Sequence, residues 1–196
     1  MLQISRRAAQ IAPSATLAID TRAKALKAEG KDVVGFGAGE PDFDTPEYVR
    51  AAAHRAIDEG RTRYTPVPGT LSLRKTIAEK FLKDNGLAYD VSQIIVSSGA
   101  KQSLFTALSV LVNDGDEVLI PSPYWVSYPE MVKMVGGVPV FVPCYHEDGF
   151  IVRPEEIEKR VTDKTRALIL NSPSNPNGCV IPRETLEKIA ALAVEK

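Results

Sequence analysis

The second half of this chain alternates short, strongly apolar runs with helical stretches, and few architectures accept that pattern. QIIVSS (93–98), EVLI (117–120), VPVFVP (138–143) and ALIL (167–170) are the apolar runs. Between them the spacing predicts a helix over 100–112, another near 125–135 and a shorter one over 154–160, with a last helix over 183–195. A strand that is apolar along its whole length has to be covered on both faces, and a helical crossover between strands makes them parallel. The expected fold class is therefore α/β, a mainly parallel sheet with helices on both faces.

The first third reads differently. Residues 14–29 follow Pro13 and stop at Gly30, which are helix start and stop signals, and form an N-terminal arm helix. VVGFGAGEPDFDTP then breaks into Gly, Pro and Asp before offering Thr45 as N-cap and Pro46 as first helical residue. A helix over 46–59 should follow, its inner face Val49, Ala52, Ala53, Ala56 and Ile57, with Gly60 ending it. The loop RTRYTPVPGT (61–70) has no period, and Thr70 caps a helix carrying Leu73, Ile77 and Phe81 as far as Asn85-Gly86. The expected division is an arm and small-domain segment over 1–45 and the first half of a larger domain over 46–196. A further strand is due after the last helix, so the chain is expected to be a fragment, with an unpaired sheet edge that favours association.

Composition narrows the partners. At 196 residues the chain can hold one domain, or one plus an appendage, and 44% hydrophobic with 25% charged residues is an ordinary globular balance. Lys plus Arg at 24 against Asp plus Glu at 25 gives a net charge of -1, without broad attraction to nucleic acid or anionic membrane. Apolar runs fall short of a bilayer span and the first ten residues lack a signal-peptide core, so a cytoplasmic location is expected. Cys144 and Cys179 are far apart and form no CxxC, which fits a reducing compartment. With His54 and His146 as the two histidines, no metal site is expected.

Five segments could carry chemistry. In SSGAKQSLF (97–105) a small-residue turn enters a helix, so the amides of Gly99, Ala100 and Lys101 could bind phosphate. The spacing of a Walker A loop is absent. Ser98 to Lys101 also reads as S-x-x-K, the arrangement of acyl-serine enzymes, but neither S-D-N nor K-T-G occurs. GFGAGEPD resembles part of a dinucleotide fingerprint, yet its third Gly comes too early and Pro41 blocks an immediate helix. SPYWVSYP (122–129) puts Trp125 just beyond a strand, either as core packing or as a surface for a flat ring. NSPSNPNG (171–178) follows another strand and is rich in side-chain donors and turn formers.

Taken in order, GxGEPDFDTP (37–46), YTPVPG (64–69), SSGAKQ (97–102), PSPYWVSYP (121–129) and NSPSNPNG (171–178) resemble the signature of class I aminotransferases. The resemblance spans nearly the whole chain and is strongest toward the bacterial aspartate aminotransferase branch, which shares S-x-R at 5–7 and P-S-A-T at 13–16. It implies the large domain of a fold type I transferase dependent on pyridoxal 5'-phosphate, working as a homodimer. The implied reaction converts L-aspartate and 2-oxoglutarate to oxaloacetate and L-glutamate. Aromatic, kynurenine or broad-specificity transaminases share the scaffold, and a non-catalytic binding module is a further alternative.

The resemblance also implies roles. Gly99, Ala100 and Lys101 would cradle the cofactor phosphate, and Tyr64 would reach the phosphate of the neighbouring subunit. Trp125 would stack on the ring and Asn175 would donate to its phenolic oxygen, with Asn175-Pro176 in cis. Gly39 would offer backbone to the substrate's α-carboxylate. Ser14, Thr16 and Lys101 would meet the distal carboxylate of an acidic substrate. No lysine here stands in the family's S-K-x-[FY] context, so the Schiff-base lysine is expected beyond Lys196, together with the carboxylate for the pyridine nitrogen and the C-terminal arginine. The chain alone is expected to be inactive.

Overall fold

The computed structural model describes residues 3–37 and 39–196. Met1 and Leu2, the start of the segment read for a signal core, and Ala38, within the glycine-rich stretch, lie outside the described residues. Two compact units emerge, one of Met1–Lys31 with Leu104–Lys196, the other of Asp32–Ser103. In chain order the helices are α1 (Arg6–Ala9), α2 (Ala15–Ala28), α3 (Glu47–Asp58), α4 (Leu71–Asn85), α5 (Ala100–Leu111), α6 (Ser127–Met134), α7 (Pro154–Glu158) and α8 (Arg183–Glu195). The strands are β1 (Glu117–Ser122), β2 (Val138–Pro143) and β3 (Thr165–Leu168).

In the first unit the strands form a parallel sheet in the order β2-β1-β3. Leu119 of the central strand stands opposite Val140 on one side and Leu168 on the other. Side chains alternate across a strand, so β1 feeds two cores. Val118 and Ile120 pack with Leu108 and Val112 and with Tyr128, Met131 and Val132 of α6. Leu119 points the opposite way, among Val142, Val152, Ile157, Ile181 and Ile189, beneath α7 and α8. Helices thus cover both faces, as the sequence pattern predicts. Val118, Leu119 and Ile120 are each at most 1% exposed, and burying such a side chain contributes about 1.5–3 kcal/mol.

Turn residues close the elements where geometry demands it. Between α6 and β2 the backbone reverses at Gly136, where φ is +89°. A Cβ there would overlap the Asp114 carboxylate, so both conformation and space require glycine.

In the second unit Thr70 caps α4, its Oγ1 accepting from the Leu73 amide at 3.4 Å, and Gly86 ends the helix at φ +68°. Arg74 reaches back from α4: Nε donates to the Gly69 carbonyl at 3.2 Å and Nη1 to the Val91 carbonyl at 3.0 Å. This clasp fixes the base of loop 61–70.

Several boundaries differ from expectation. QIIVSS is not a strand: a 3-10 turn over Val91–Gln93, capped reciprocally by Asp90 and Gln93, leads into extended backbone in which Ile94 is buried. Among the described residues the run has no ladder, only the Val96 amide on the Pro68 carbonyl at 3.0 Å, and extended backbone becomes a strand through its pairing. Pro46, not Thr45, is the N-cap of α3, and no side chain caps it. The expected inner face of α3 is uncovered within its unit, with Val49 43% and Ile57 62% exposed. β3 begins two residues before ALIL, and α1 at Arg6–Ala9 was not foreseen.

Candidate functional site

β1 and β3 are neighbours running in the same direction, so they end at one edge of the sheet. Past β1 the chain passes Pro123 and Tyr124, which stacks on Phe141 of β2 with ring centroids 5.0 Å apart and planes 9° from parallel. Trp125 follows, half-buried, resting on the core and meeting Tyr128 edge-on at 5.4 Å. Burial raises the phenol pKa of Tyr128, keeping this ring neutral beneath the indole.

Past β3 the Ile169 amide donates to the Leu119 carbonyl at 3.0 Å, carrying the ladder one residue further into loop 171–178. There Asn171 Oδ1 accepts from the Asn175 amide at 3.0 Å, and the Ser172 hydroxyl accepts from the Ile181 amide at 3.0 Å. Ser174 donates through its amide to the Cys179 carbonyl, and Gly178 through its amide to the Ser174 carbonyl. Asn175-Pro176 is cis, as expected, and so are Ser122-Pro123 and Ser172-Pro173. The carboxamide of Asn175 stands on an exposed, well-tied loop. The first unit therefore brings an indole and a carboxamide to the carboxyl edge of its parallel strands, where open α/β sheets take ligands.

The arm belongs to the same unit. Ser14 is the N-cap of α2, its Oγ accepting from the Leu17 amide at 3.3 Å, which leaves the hydroxyl proton available as a donor. Ser14 and Thr16 are half-buried. The Ala12 amide donates to Glu130 Oε2 of α6 at 3.2 Å, and Glu130 also pairs with Lys133 at 2.9 Å.

The remaining predicted residues lie in the second unit. Gly99 has φ +84°, which lets the chain turn sharply into α5. Its carbonyl accepts from the Gln102 amide at 3.2 Å and the Ser103 amide at 3.3 Å. Gln102 Oε1 in turn accepts from the Ser98 amide at 2.6 Å, tying the turn from its other side. Ala100 and Lys101 open a helix of 12 residues, where first-turn amides point out along the axis toward an anion. Tyr64 is fully exposed at the tip of the loop clasped by Arg74. Gly39 has open space on the side where a Cβ would stand, so its backbone is accessible to a ligand.

Trp125, Asn175, Ser14 and Thr16 thus share one unit, and Gly39, Tyr64, Gly99, Ala100 and Lys101 share the other. Sequence reasoning missed three supporting side chains: Gln102, Asn171 and Arg74. The first two sit four residues from the backbone they hold, a spacing visible in the sequence. Arg74 has a partner 17 residues away and left no local sign.

Set beside known proteins, residues 31–196 match the family model of aminotransferase class I and II. The chain belongs to this family. It is 50% identical over 193 residues to a probable aspartate/prephenate aminotransferase of Aquifex aeolicus, covering 98% of this chain and 49% of that protein. With the aspartate aminotransferase of Geobacillus stearothermophilus it shares 48% identity over 193 residues, again 98% of this chain and 49% of the relative. The structure of the Thermus thermophilus aspartate aminotransferase with maleate superimposes at a TM-score of 0.95, with 49% identity, over 100% of this chain and 51% of that one. The chain spans about half the length of the curated relatives it matches. No helix among the described residues is long and apolar enough to cross a membrane.

Proposed function

We propose that the protein is an aspartate aminotransferase, and that this chain supplies the phosphate and ring contacts for pyridoxal 5'-phosphate. The observation that carries the reading is the placement of Trp125 and Asn175 beyond two adjacent parallel strands, on loops held by their own hydrogen bonds and ring contacts. Each unit's donors fit a part of the group: in one a helix N-terminus for a phosphate dianion, in the other an indole for a flat aromatic ring and a carboxamide for a phenolic oxygen. When bound, that cofactor supplies an electron-poor ring that draws electron density from the amino acid's α-carbon.

The chain's own residues act by binding and orientation. Gly99, Ala100 and Lys101 hold the phosphate through outward amides and the helix dipole. Trp125 lies against the ring face, and Asn175 donates to the ring oxygen, fixing the ring's rotation. The open backbone of Gly39 takes the substrate's α-carboxylate, while Ser14, Thr16 and Lys101 favour a second carboxylate at the far end. Tyr64, exposed on its clasped loop, reaches across to a neighbouring subunit's phosphate in a homodimer. None of the lysines in this sequence stands in the S-K-x-[FY] context of the lysine that links the cofactor, so the part proposed for this chain is binding and orientation. Residues 1–45 serve as arm and small-domain segment and 46–196 as the start of the large domain, in a cytoplasmic enzyme.

Relatives named for both aspartate and prephenate support a second reading of the specificity, in which prephenate is also an amino acceptor. Trp125 is the one tryptophan of the chain, so intrinsic fluorescence reports the proposed ring site directly. Titration with pyridoxal 5'-phosphate is expected to quench it saturably, and inorganic phosphate to reverse the quench by competition. A linear quench that phosphate does not affect would overturn the reading.

A further inference from the structure

Loop 171–178 contains Pro173 and Pro176, neither of which has an amide proton, so few of its backbone groups can anchor it. Most of its hydrogen bonds close the loop on itself or on residues just after it: Ser174 to Cys179, Gly178 to Ser174, and Cys179 to the Asn177 side chain. The bond from the Asn175 amide to Asn171 Oδ1 holds Asn175 itself, and its acceptor is the first residue of the loop, next to the sheet. Asn171 is half-buried and lies two residues beyond Ile169, whose amide is the last rung on Leu119 of the central strand. The Asn171 side chain therefore ties the backbone of Asn175 to the point where the chain leaves the sheet.

We infer that Asn171 is a positioning residue that sets where the Asn175 carboxamide meets the cofactor ring. It touches neither cofactor nor substrate; it acts by restricting the backbone that carries the donor. A donor aimed in advance loses less conformational freedom on binding, and this freedom is what Asn171 removes. The inference rests on the reading of Asn175 as the partner of the ring oxygen.

The test compares Asn175→Ala, Asn171→Ala, Asn171→Asp and the double alanine variant in the full-length protein. Affinity for pyridoxal 5'-phosphate is read from the growth of the visible absorption band of bound cofactor, and the position of that band reports the hydrogen bond at the ring oxygen. Asn171→Ala is expected to weaken binding by about 5–10-fold and shift the band in the direction Asn175→Ala shifts it, from the loss of one hydrogen bond's worth of ordering. Asn171→Asp keeps an acceptor oxygen and should restore both to near wild type. The double variant should bind no more weakly than Asn175→Ala, because Asn171 works through Asn175.

Wild-type behaviour of Asn171→Ala beside a clear loss in Asn175→Ala would overturn the positioning role and leave the site reading standing. Wild-type behaviour of Asn175→Ala would overturn the site reading, and the inference with it. Additive losses in the double variant would show Asn171 acting by another route and also overturn it. If Asn171→Ala fails to fold, amide exchange in the wild type decides: the Asn175 amide should be protected, and exchange as fast as that of an open loop amide would overturn the inference.

Discussion

Gln102 Oε1 lies 2.6 Å from the Ser98 amide and accepts its proton, so the side chain at the third position of α5 locks the turn that precedes the helix. With Gly99 between them, the two residues bracket the amides assigned to phosphate. Gln102→Ala is expected to weaken pyridoxal 5'-phosphate binding about 3–10-fold, the worth of one ordered hydrogen bond, with little change in unfolding temperature because both residues are exposed. Fluorescence titration and a thermal melt on the same variant check both halves of this expectation.

Gly99 and Gly136 have nearly the same backbone, φ +84° and +89°, but different surroundings. A Cβ at Gly99 meets open space, whereas at Gly136 it overlaps Asp114. Gly99→Ala should therefore lose only the conformational term, about 1 kcal/mol, and Gly136→Ala should lose that and a packing term, about 2–4 kcal/mol in all. Denaturant midpoints of the two variants should separate in that order; equal losses would contradict it.

Leu119 belongs to one core and Val118 and Ile120 to the other. Leu119→Ala should cost about 2–5 kcal/mol, since the neighbouring strands on either side leave little room to collapse. Chemical denaturation measures the loss directly.

Cys144 follows β2 half-buried, and burial first, then the nearby Cys179 thiol, pushes its pKa above the ordinary thiol value. The folded state therefore favours the protonated thiol. Any stability this contributes is present at neutral pH and falls as pH rises past the ordinary thiol pKa. Alkylation followed by peptide mass mapping should find Cys144 slow at neutral pH, its rate still climbing at a pH where a free thiol standard has levelled off. Rapid modification of Cys144 at neutral pH would contradict the assignment.

The sheet was legible because apolar runs such as EVLI and VPVFVP leave no amphipathic choice: a strand that is apolar throughout has to lie between two layers. QIIVSS carries the same signal, yet pairing is a property of the neighbour and not of the run, and among the described residues its one backbone bond to a neighbouring segment, Val96 to Pro68, does not extend into a ladder. Val49 and Ile57 show the same limit for a helix, since periodicity marks a face for burial without saying what covers it. At the candidate site, residue types suited to binding a ligand were readable in Trp125, Asn175 and the SSGAKQ turn. The side chains that hold them were harder to see, because Gln102 and Asn171 look like ordinary turn and helix residues until their partners are placed.

The bond from the Ala12 amide to Glu130 ties the arm to α6, and α6 begins two residues after Trp125. The start of α2 and the helix that follows Trp125 are thus joined at a single carboxylate. Removing that acceptor, as in Glu130→Ala, would release the arm just before Ser14 and leave Lys133 without its ion-pair partner in the same stroke.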